Sequence, residues 1–115
     1  MINIERERPL ERLIDFLELL SETDSYHGTY IGADATHIRQ NWLTGDRWCS
    51  KLRIPEEFLA QDYLTLGPCP RTGVVVYYAC DVDRALAWLV EHSVITEEEM
   101  LWIQTRRTLE LVEPV

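Results

Sequence analysis

Gly73-Val74-Val75-Val76-Tyr77-Tyr78-Ala79-Cys80 is the stretch of sequence that decides the fold. Its β-branched and aromatic residues carry no charge, which predicts a fully buried β-strand over residues 74–80. Because the backbone donors and acceptors of such a strand need partners, a second strand must pair with it. Apolar and polar residues alternate over residues 48–54, which predicts that the partner strand lies there.

Most of the remaining sequence has the spacing of helices. Leucine and isoleucine recur at helical intervals after Pro9, which suits an opening turn, and predict a first helix that stops near Ser21. Asp34 is a plausible N-cap for a second helix over residues 35–43, and Gly45 is a plausible stop. Pro55 opens a short helix that runs to about residue 64, and residues 66–73 predict a rigid loop.

The C-terminal third carries the sharpest helix signals. Asp81 can cap a helix over residues 82–92. Thr96 and Glu99 have the spacing of a capping box, and Ile95 is placed for a hydrophobic staple against Met100, so the last helix runs to about residue 111. The sequence therefore predicts one α+β domain over residues 1–115, mainly helical, with four or five helices and a two- or three-stranded sheet around residues 74–80.

Residues 86–111 resemble a known helical hairpin. With Val94-Ile95-Thr96-Glu97-Glu98-Glu99 at the turn, they look like the hairpin of SHOCT domains, which are small bacterial oligomerisation modules. Ser93 stands where that family usually has glycine, and Arg106-Arg107 match its basic pair only loosely, so no residue role is transferred from the family. The resemblance covers about a quarter of the chain and implies two antiparallel helices.

The composition is that of a folded globular protein. Of the 115 residues, 46% are apolar and 27% are charged, and no apolar run approaches the ~20 residues that cross a bilayer. The first eight residues are charged where a signal peptide would need an apolar core, so we expect a cytoplasmic protein without a membrane anchor. Cys49, Cys69 and Cys80 fit no zinc spacing; we expect free thiols with Cys80 in the core, and an intermolecular disulfide remains an alternative.

The net charge of −9 is unevenly placed. Residues 1–24 carry seven acidic side chains against three arginines, and residues 81–115 carry eight against three. Between residues 35 and 53 the balance reverses, since Arg39, Arg47, Lys51 and Arg53 oppose only Asp46. The total disfavours nonspecific binding to nucleic acid and favours protein partners that have basic surfaces.

No pattern in the chain indicates catalysis. His27, His37 and His92 are scattered over three predicted segments, and no glycine-rich phosphate loop occurs. Asp81 and Asp83 are explained by the electrostatics of a helix N-terminus. We therefore expect a non-enzymatic protein with no catalytic residue, no cofactor and no metal site.

One segment suggests DNA binding as an alternative function. Residues 34–45 have the character of a helix-turn-helix recognition segment, with Ile38 and Trp42 as apolar anchors. Under this alternative the protein is a transcriptional regulator. The residues that would contact DNA are Arg39, Gln40, Asn41 and Arg47.

The aromatic content favours protein binding as the leading function. Four tryptophans and five tyrosines are many for this length, and such residues are enriched at binding hot spots. The candidate partner-binding residues are Phe16, Leu19, Tyr77, Tyr78, Trp88 and Trp102. In size, charge and aromatic content the chain resembles small antiactivators of quorum-sensing receptors and phage-encoded inhibitors.

The sequence thus predicts a small acidic regulator that binds and inhibits a regulatory or nucleic-acid-binding protein. We also expect a homodimer, formed through the edge of the strand at 74–80 or through the C-terminal hairpin at 81–111.

Overall fold

The fold is a mainly helical α+β arrangement with a small sheet, as predicted. The computed structural model describes residues 2–21, 38–68, 73 and 75–112, of which 21, 76–78 and 108–112 are described by their backbone only. The α-helices are α1 (Ile4–Ser21), α2 (Val82–Glu91) and α3 (Glu97–Val112), and the strands are β1 (Leu64–Pro68) and β2 (Val75–Cys80). Shorter helical segments are the π-helical Arg39–Leu43 and the 3₁₀ segments Cys49–Leu52 and Glu56–Ala60.

Helix α1 lies at the centre of the core. It packs against β2, the 3₁₀ segment Cys49–Leu52 and α3. Its fully or almost fully buried apolar side chains are Leu10, Leu13, Ile14, Phe16, Leu17 and Leu20. Neither α1 nor any other helix in the described ranges combines the length and the apolar character that crossing a membrane requires.

The start of α1 differs from the prediction. The helix begins at Ile4, so Pro9 lies inside it and does not open it. Asn3 caps the additional turn, because its Oδ1 accepts a hydrogen bond from the Glu5 N–H at 2.9 Å and its carbonyl accepts one from the Arg6 N–H at 2.8 Å. The predicted end at Ser21 is confirmed.

The strand over residues 75–80 is confirmed, but its predicted partner is wrong. β2 pairs antiparallel with β1, from Leu64 opposite Cys80 to Pro68 opposite Val75. Residues 66–68 of the predicted loop therefore belong to a strand, and Pro68 is tolerated because it is the last residue of β1. Full burial is also wrong at Val75, which is 55% exposed, and at Cys80, which is half-buried.

Residues 49–52 form a 3₁₀ helix within the span 48–54, where the sequence predicted a strand. Cys49 and Leu52 are both buried, and their spacing of three residues is the repeat of a 3₁₀ helix. The Asp46 carboxylate caps this segment, since Oδ2 accepts hydrogen bonds from the backbone N–H of Trp48 at 3.0 Å and of Cys49 at 2.8 Å. Arg53 ends it in a left-handed conformation with φ of 55°.

The segment around Ile38 is helical, as predicted, within the part that the structure describes. Ile38 is fully buried and Trp42 packs against the core, while Asp34 and the predicted helical residues 35–37 lie outside the described residues. Gly45 follows the π-helical segment. A Cβ atom there would lie 1.6 Å from the Gln40 carbonyl oxygen, so only glycine fits this turn.

The remaining helix predictions are largely confirmed. Pro55 precedes the 3₁₀ segment Glu56–Ala60, which ends before residue 64 because that residue begins β1. Asp81 caps α2 by accepting a hydrogen bond from the Arg84 N–H at 3.3 Å. In the capping box of α3, the Thr96 N–H donates to Glu99 Oε1 at 2.9 Å and the Glu99 N–H donates to Thr96 Oγ1 at 3.0 Å.

The turn between α2 and α3 contains a strained residue. Ser93 has φ of 60°, and its N–H donates to the Val90 carbonyl at 3.0 Å while the Val94 N–H donates to the Leu89 carbonyl at 2.9 Å. This pair of hydrogen bonds is the Schellman motif, in which the left-handed position is usually glycine. Ser93 therefore adopts a conformation that its Cβ atom disfavours.

Replacement of Ser93 by glycine should stabilise the fold. Relief of the left-handed conformation stabilises the folded state by about 1 kcal/mol. Glycine also makes the unfolded chain more flexible, which cancels part of this gain. Ser93→Gly should therefore raise the free energy of unfolding by about 0.5 kcal/mol. Urea denaturation measures this change. The matched control Ser50→Gly, inside the 3₁₀ segment Cys49–Leu52, should lower stability, and equal losses in both variants would contradict the strain at Ser93.

Candidate functional site

Phe16 has no surface that a partner could contact. Its side chain is fully buried, with its ring centroid 5.5 Å from that of Trp42 and 6.0 Å from that of Phe58. The broad apolar surface of α1 is covered by the fold itself, because the sheet, the short helical segments and α3 pack around it. Burial removes Phe16 from the partner-binding set.

Two more of the predicted residues lie at the edge of the core. Leu19 and Trp88 are half-buried. The Trp88 ring lies edge-on to Phe58 at 5.7 Å and stacks on His92 at 3.8 Å, while His92 Nδ1 lies 2.9 Å from the Trp88 carbonyl oxygen. Trp88 thus joins the core to a surface histidine. The side chains of Tyr77 and Tyr78 lie outside the described residues.

Trp102 lines an open groove of about 470 Å³ between the start of α1 and the exposed side of α3. The lining residues of this α3 groove are Ile2, Glu7, Glu98, Leu101, Trp102, Thr105 and Arg106. Leu101 is 58% exposed, and the Arg106 guanidinium lies 4.3 Å from the centre of the Trp102 ring. The groove therefore combines exposed apolar surface with carboxylates and one arginine.

An ion pair between α1 and α3 positions the groove. Arg6 Nε donates to Glu99 Oε2 at 2.7 Å, and Arg6 Nη2 donates to Glu99 Oε1 at 3.0 Å and to the Val94 carbonyl at 3.1 Å. Hydrogen bonds from Arg6 and from the Thr96 N–H outweigh desolvation and hold the pKa of the buried Glu99 carboxyl below its usual value. This two-pronged contact fixes the first turn of α1 against the first turn of α3.

The same contact gathers acidic residues at one end of the molecule. Glu5 and Glu7 lie in the first turn of α1, and Glu97 and Glu98 lie in the first turn of α3. Carboxylates at a helix N-terminus are stabilised by the helix dipole, so these positions suit each helix separately. Two of them, Glu7 and Glu98, line the groove, where they outnumber the single arginine, Arg106.

Of the residues that line the α3 groove, Trp102 alone was predicted from the sequence as a binding residue. Ile2 and Leu101 are ordinary aliphatic residues without a local motif, and Arg6 is 93 positions from Glu99. The capping box had marked Glu99, but only as a local helix cap. Its second role depends on tertiary structure, which no local pattern reports.

The residues of the DNA-binding alternative lie on the surface. Arg39, Gln40 and Arg47 are exposed, and Arg39 forms an ion pair with Glu56. Asn41 is also exposed. The Arg47 guanidinium lies 4.8 Å from the centre of the Trp48 ring. Residues 34–37, at the start of the predicted recognition segment, lie outside the described residues.

The described part of the chain offers weak nucleophiles. Cys49 and Cys80 are free thiols, and burial raises the pKa of each to about 12, which keeps them protonated at neutral pH. Among the described residues, no group of three or more His, Cys, Asp or Glu side chains is arranged to hold a metal ion. His27, His37 and Cys69 lie outside those residues.

No family model, curated protein or solved structure matches the chain. The resemblance of residues 86–111 to SHOCT domains therefore has no support from these comparisons, and geometry carries the functional interpretation.

The Arg6–Glu99 ion pair should be visible as a pH-dependent contribution to stability. The folded-state pKa of Glu99 lies below its unfolded value, so its contribution is present above the unfolded pKa of about 4.3 and is lost as pH falls through the folded pKa. Glu99→Gln keeps a side chain that can complete the capping box but removes the charge. It should lower the free energy of unfolding by about 2 kcal/mol at neutral pH.

Urea denaturation of both proteins across the acidic range tests this expectation. The difference between wild type and Glu99→Gln should shrink as pH falls below about 4.3. The control Glu97→Gln removes a carboxylate from the same turn of α3, where the side chain is exposed, and should change stability little at any pH. A difference for Glu99→Gln that stays constant with pH would contradict the role of its charge.

Proposed function

We propose that this protein is a non-enzymatic acidic regulator that binds a regulatory or nucleic-acid-binding protein and inhibits it. The observation that carries the proposal is the α3 groove, where Leu101 is 58% exposed and Trp102 is half-buried beside Glu7 and Glu98. Binding of a partner removes the exposed surface of these two side chains from water, and this burial stabilises the complex.

The groove favours a partner whose apolar side chains are flanked by lysine or arginine. A volume of about 470 Å³ accommodates a few aliphatic side chains, and Trp102 offers the large rigid surface that is typical of a binding hot spot. The carboxylates at the rim complement basic residues around the partner's apolar anchor. Apolar contact supplies affinity, and the charges select the partner and its orientation.

Long-range electrostatics support the same class of partner. The net charge of −9 attracts basic surfaces and raises the rate at which they meet the protein. Nucleic-acid-binding proteins use basic surfaces to contact phosphate. A groove that covers such a surface prevents that contact, which is the physical basis of the proposed inhibition. Antiactivators of quorum-sensing transcription factors and phage inhibitors are examples of this class.

The proposal includes a cytoplasmic homodimer. The free thiols of Cys49 and Cys80 suit a reducing compartment. Val75 on β2 is 55% exposed, and the sheet within the described residues has only two strands, which supports pairing of β2 with a second copy. The hairpin of α2 and α3 is the other surface through which a copy can pack.

Sedimentation equilibrium tests the dimer. We expect twice the 13.5 kDa chain mass at micromolar concentration. Val75→Lys should yield monomers if the strand edge forms the interface, because a charge on an edge strand opposes pairing. A monomeric wild type over the whole concentration range would refute the dimer without affecting the groove.

Substitutions in the groove should weaken binding of the partner. Trp102→Ala should weaken binding by about 30-fold or more and Leu101→Ala by about tenfold, because each removes apolar contact surface. Affinity capture from host lysate with and without nuclease, followed by titration of the purified partner, measures both effects. Binding should persist at moderate salt because apolar burial dominates it.

The matched control is Leu66→Ala, the same truncation at an exposed leucine on β1. It should leave capture unchanged. Equal loss in Leu66→Ala and Leu101→Ala would refute the groove as the binding site. Recovery of nucleic acid without a protein partner, dependent on Arg39, would favour the DNA-binding alternative.

A further inference from the structure

Three cations converge on one indole ring on a surface away from the α3 groove. The charged groups of Arg47, Lys51 and Arg8 lie 4.8, 5.2 and 5.8 Å from the centre of the Trp48 ring. Arg47 and Lys51 come from the segment that surrounds Trp48, whereas Arg8 comes from α1. We call these four residues the Trp48 cluster.

The positive charge of this cluster is not neutralised by its described surroundings. Among the described residues, none of the three cations forms an ion pair with a carboxylate. Asp46, which precedes Arg47 in the sequence, is engaged elsewhere, since its Oδ1 accepts a hydrogen bond from Arg12 Nε at 2.9 Å and its Oδ2 caps the 3₁₀ segment. Three like charges around one ring repel one another over distances of about a Debye length, ~10 Å, and a bound anion relieves that repulsion.

A second arginine and tryptophan extend this surface. The Arg12 guanidinium lies 4.1 Å from the centre of the Trp42 ring. Arg8 and Arg12 are one turn apart on α1, and both line an open cleft of about 410 Å³ whose other lining residues are Trp48, Glu11, Asp15 and Asp46. Arg12 is paired there with Asp15 and Asp46, so the unpaired positive charge is that of the Trp48 cluster.

We propose that the Trp48 cluster binds single-stranded nucleic acid. Arg8, Arg47 and Lys51 contact successive phosphates, and the half-buried Trp48 ring stacks on an unpaired base. A cation that leaves the ring face for a phosphate makes room for the base. The interleaving of basic and aromatic side chains is the combination by which proteins hold single strands without reading their sequence.

The indole favours a single strand over other polyanions. An acidic peptide would use the three cations but would gain little from the ring, and a duplex conceals the faces of its bases in the stack. The net charge of −9 opposes all polyanions and limits the affinity. The expected complex is therefore weak, salt-dependent and local to this surface.

This inference does not depend on the proposed regulatory function. None of the residues that line the α3 groove belongs to the Trp48 cluster. Loss of nucleic-acid binding through the cluster and loss of partner binding through the groove are therefore separable by substitution.

Fluorescence anisotropy with a labelled oligothymidylate of about twelve nucleotides tests the proposal. Three phosphate contacts predict that the logarithm of the association constant falls with the logarithm of salt concentration with a slope of about −2. Lys51→Gln and Arg47→Gln should each weaken binding at low salt and make the slope shallower by about 0.7. Trp48→Leu should weaken binding by about tenfold or more and leave the slope unchanged, because stacking releases no counterions.

The matched control is Arg84→Gln, which makes the same change in net charge on α2, where Arg84 is exposed and pairs with Asp62 at 2.7 Å. It should bind as the wild type does. An Arg84→Gln effect equal to that of Lys51→Gln would overturn the proposal by showing a response to net charge alone. The proposal would also be overturned if a duplex bound as tightly as the oligothymidylate, or if polyglutamate competed as well as single-stranded DNA at the same charge concentration. Absence of binding at low salt would overturn it too.

Discussion

The structure depends on the burial of α1 on several sides at once. Every other described element packs either on α1 or on an element that contacts it. Each of its buried leucine, isoleucine and phenylalanine side chains contributes roughly 1.5–3 kcal/mol relative to exposure, so burial of this helix is a large part of the stability of the fold. Phe16 at its middle contacts both Trp42 and Phe58, which ties the short helical segments to the helix.

Because α1 is fixed by its apolar face, its charged side chains are fixed as well. Arg6 is carried to Glu99 and sets the first turn of α3, which shapes the groove around Trp102. Arg8 and Arg12 project toward Trp48 and Trp42 on another side of the helix. One buried helix therefore positions both candidate surfaces, and a disturbance of its packing would alter both.

Structure that depends on local interactions was predictable from the sequence, and structure that depends on nonlocal pairing was not. The caps at Asp81 and at Thr96 with Glu99 are local, and the helices they begin were predicted almost to the residue. The strand partner was missed because strand pairing is nonlocal. Gly67 and Pro68 in β1 have the composition of a loop. The alternation of apolar and polar residues over 48–54 favoured a strand where a 3₁₀ segment forms.

The candidate site was predictable to a smaller degree for the same reason. Leu101 is exposed and Phe16 is buried, but both are apolar residues on amphipathic helices. The sequence alone does not distinguish them, because their exposure depends on which elements pack beside them. The Arg6–Glu99 contact spans almost the whole chain and leaves no local trace. Trp102 was predicted as a candidate binding residue because tryptophan is rare and large, so it usually lies either in the core or in a binding surface.

The two surfaces, opposite in charge, lie on the same helix, so their ligands cannot be electrostatically independent. Glu7 lines the α3 groove and Arg8, the next residue, belongs to the Trp48 cluster. The diameter of a helix with its side chains is ~10–12 Å, close to the ~8 Å Debye length of physiological salt, so charges on its two sides are screened only in part. If both proposals hold, a basic partner in the groove lowers the repulsion that a nucleic acid meets at the cluster. By linkage, the nucleic acid then strengthens the partner's binding by the same factor. Salt weakens this coupling, and apolar contact in the groove persists without it.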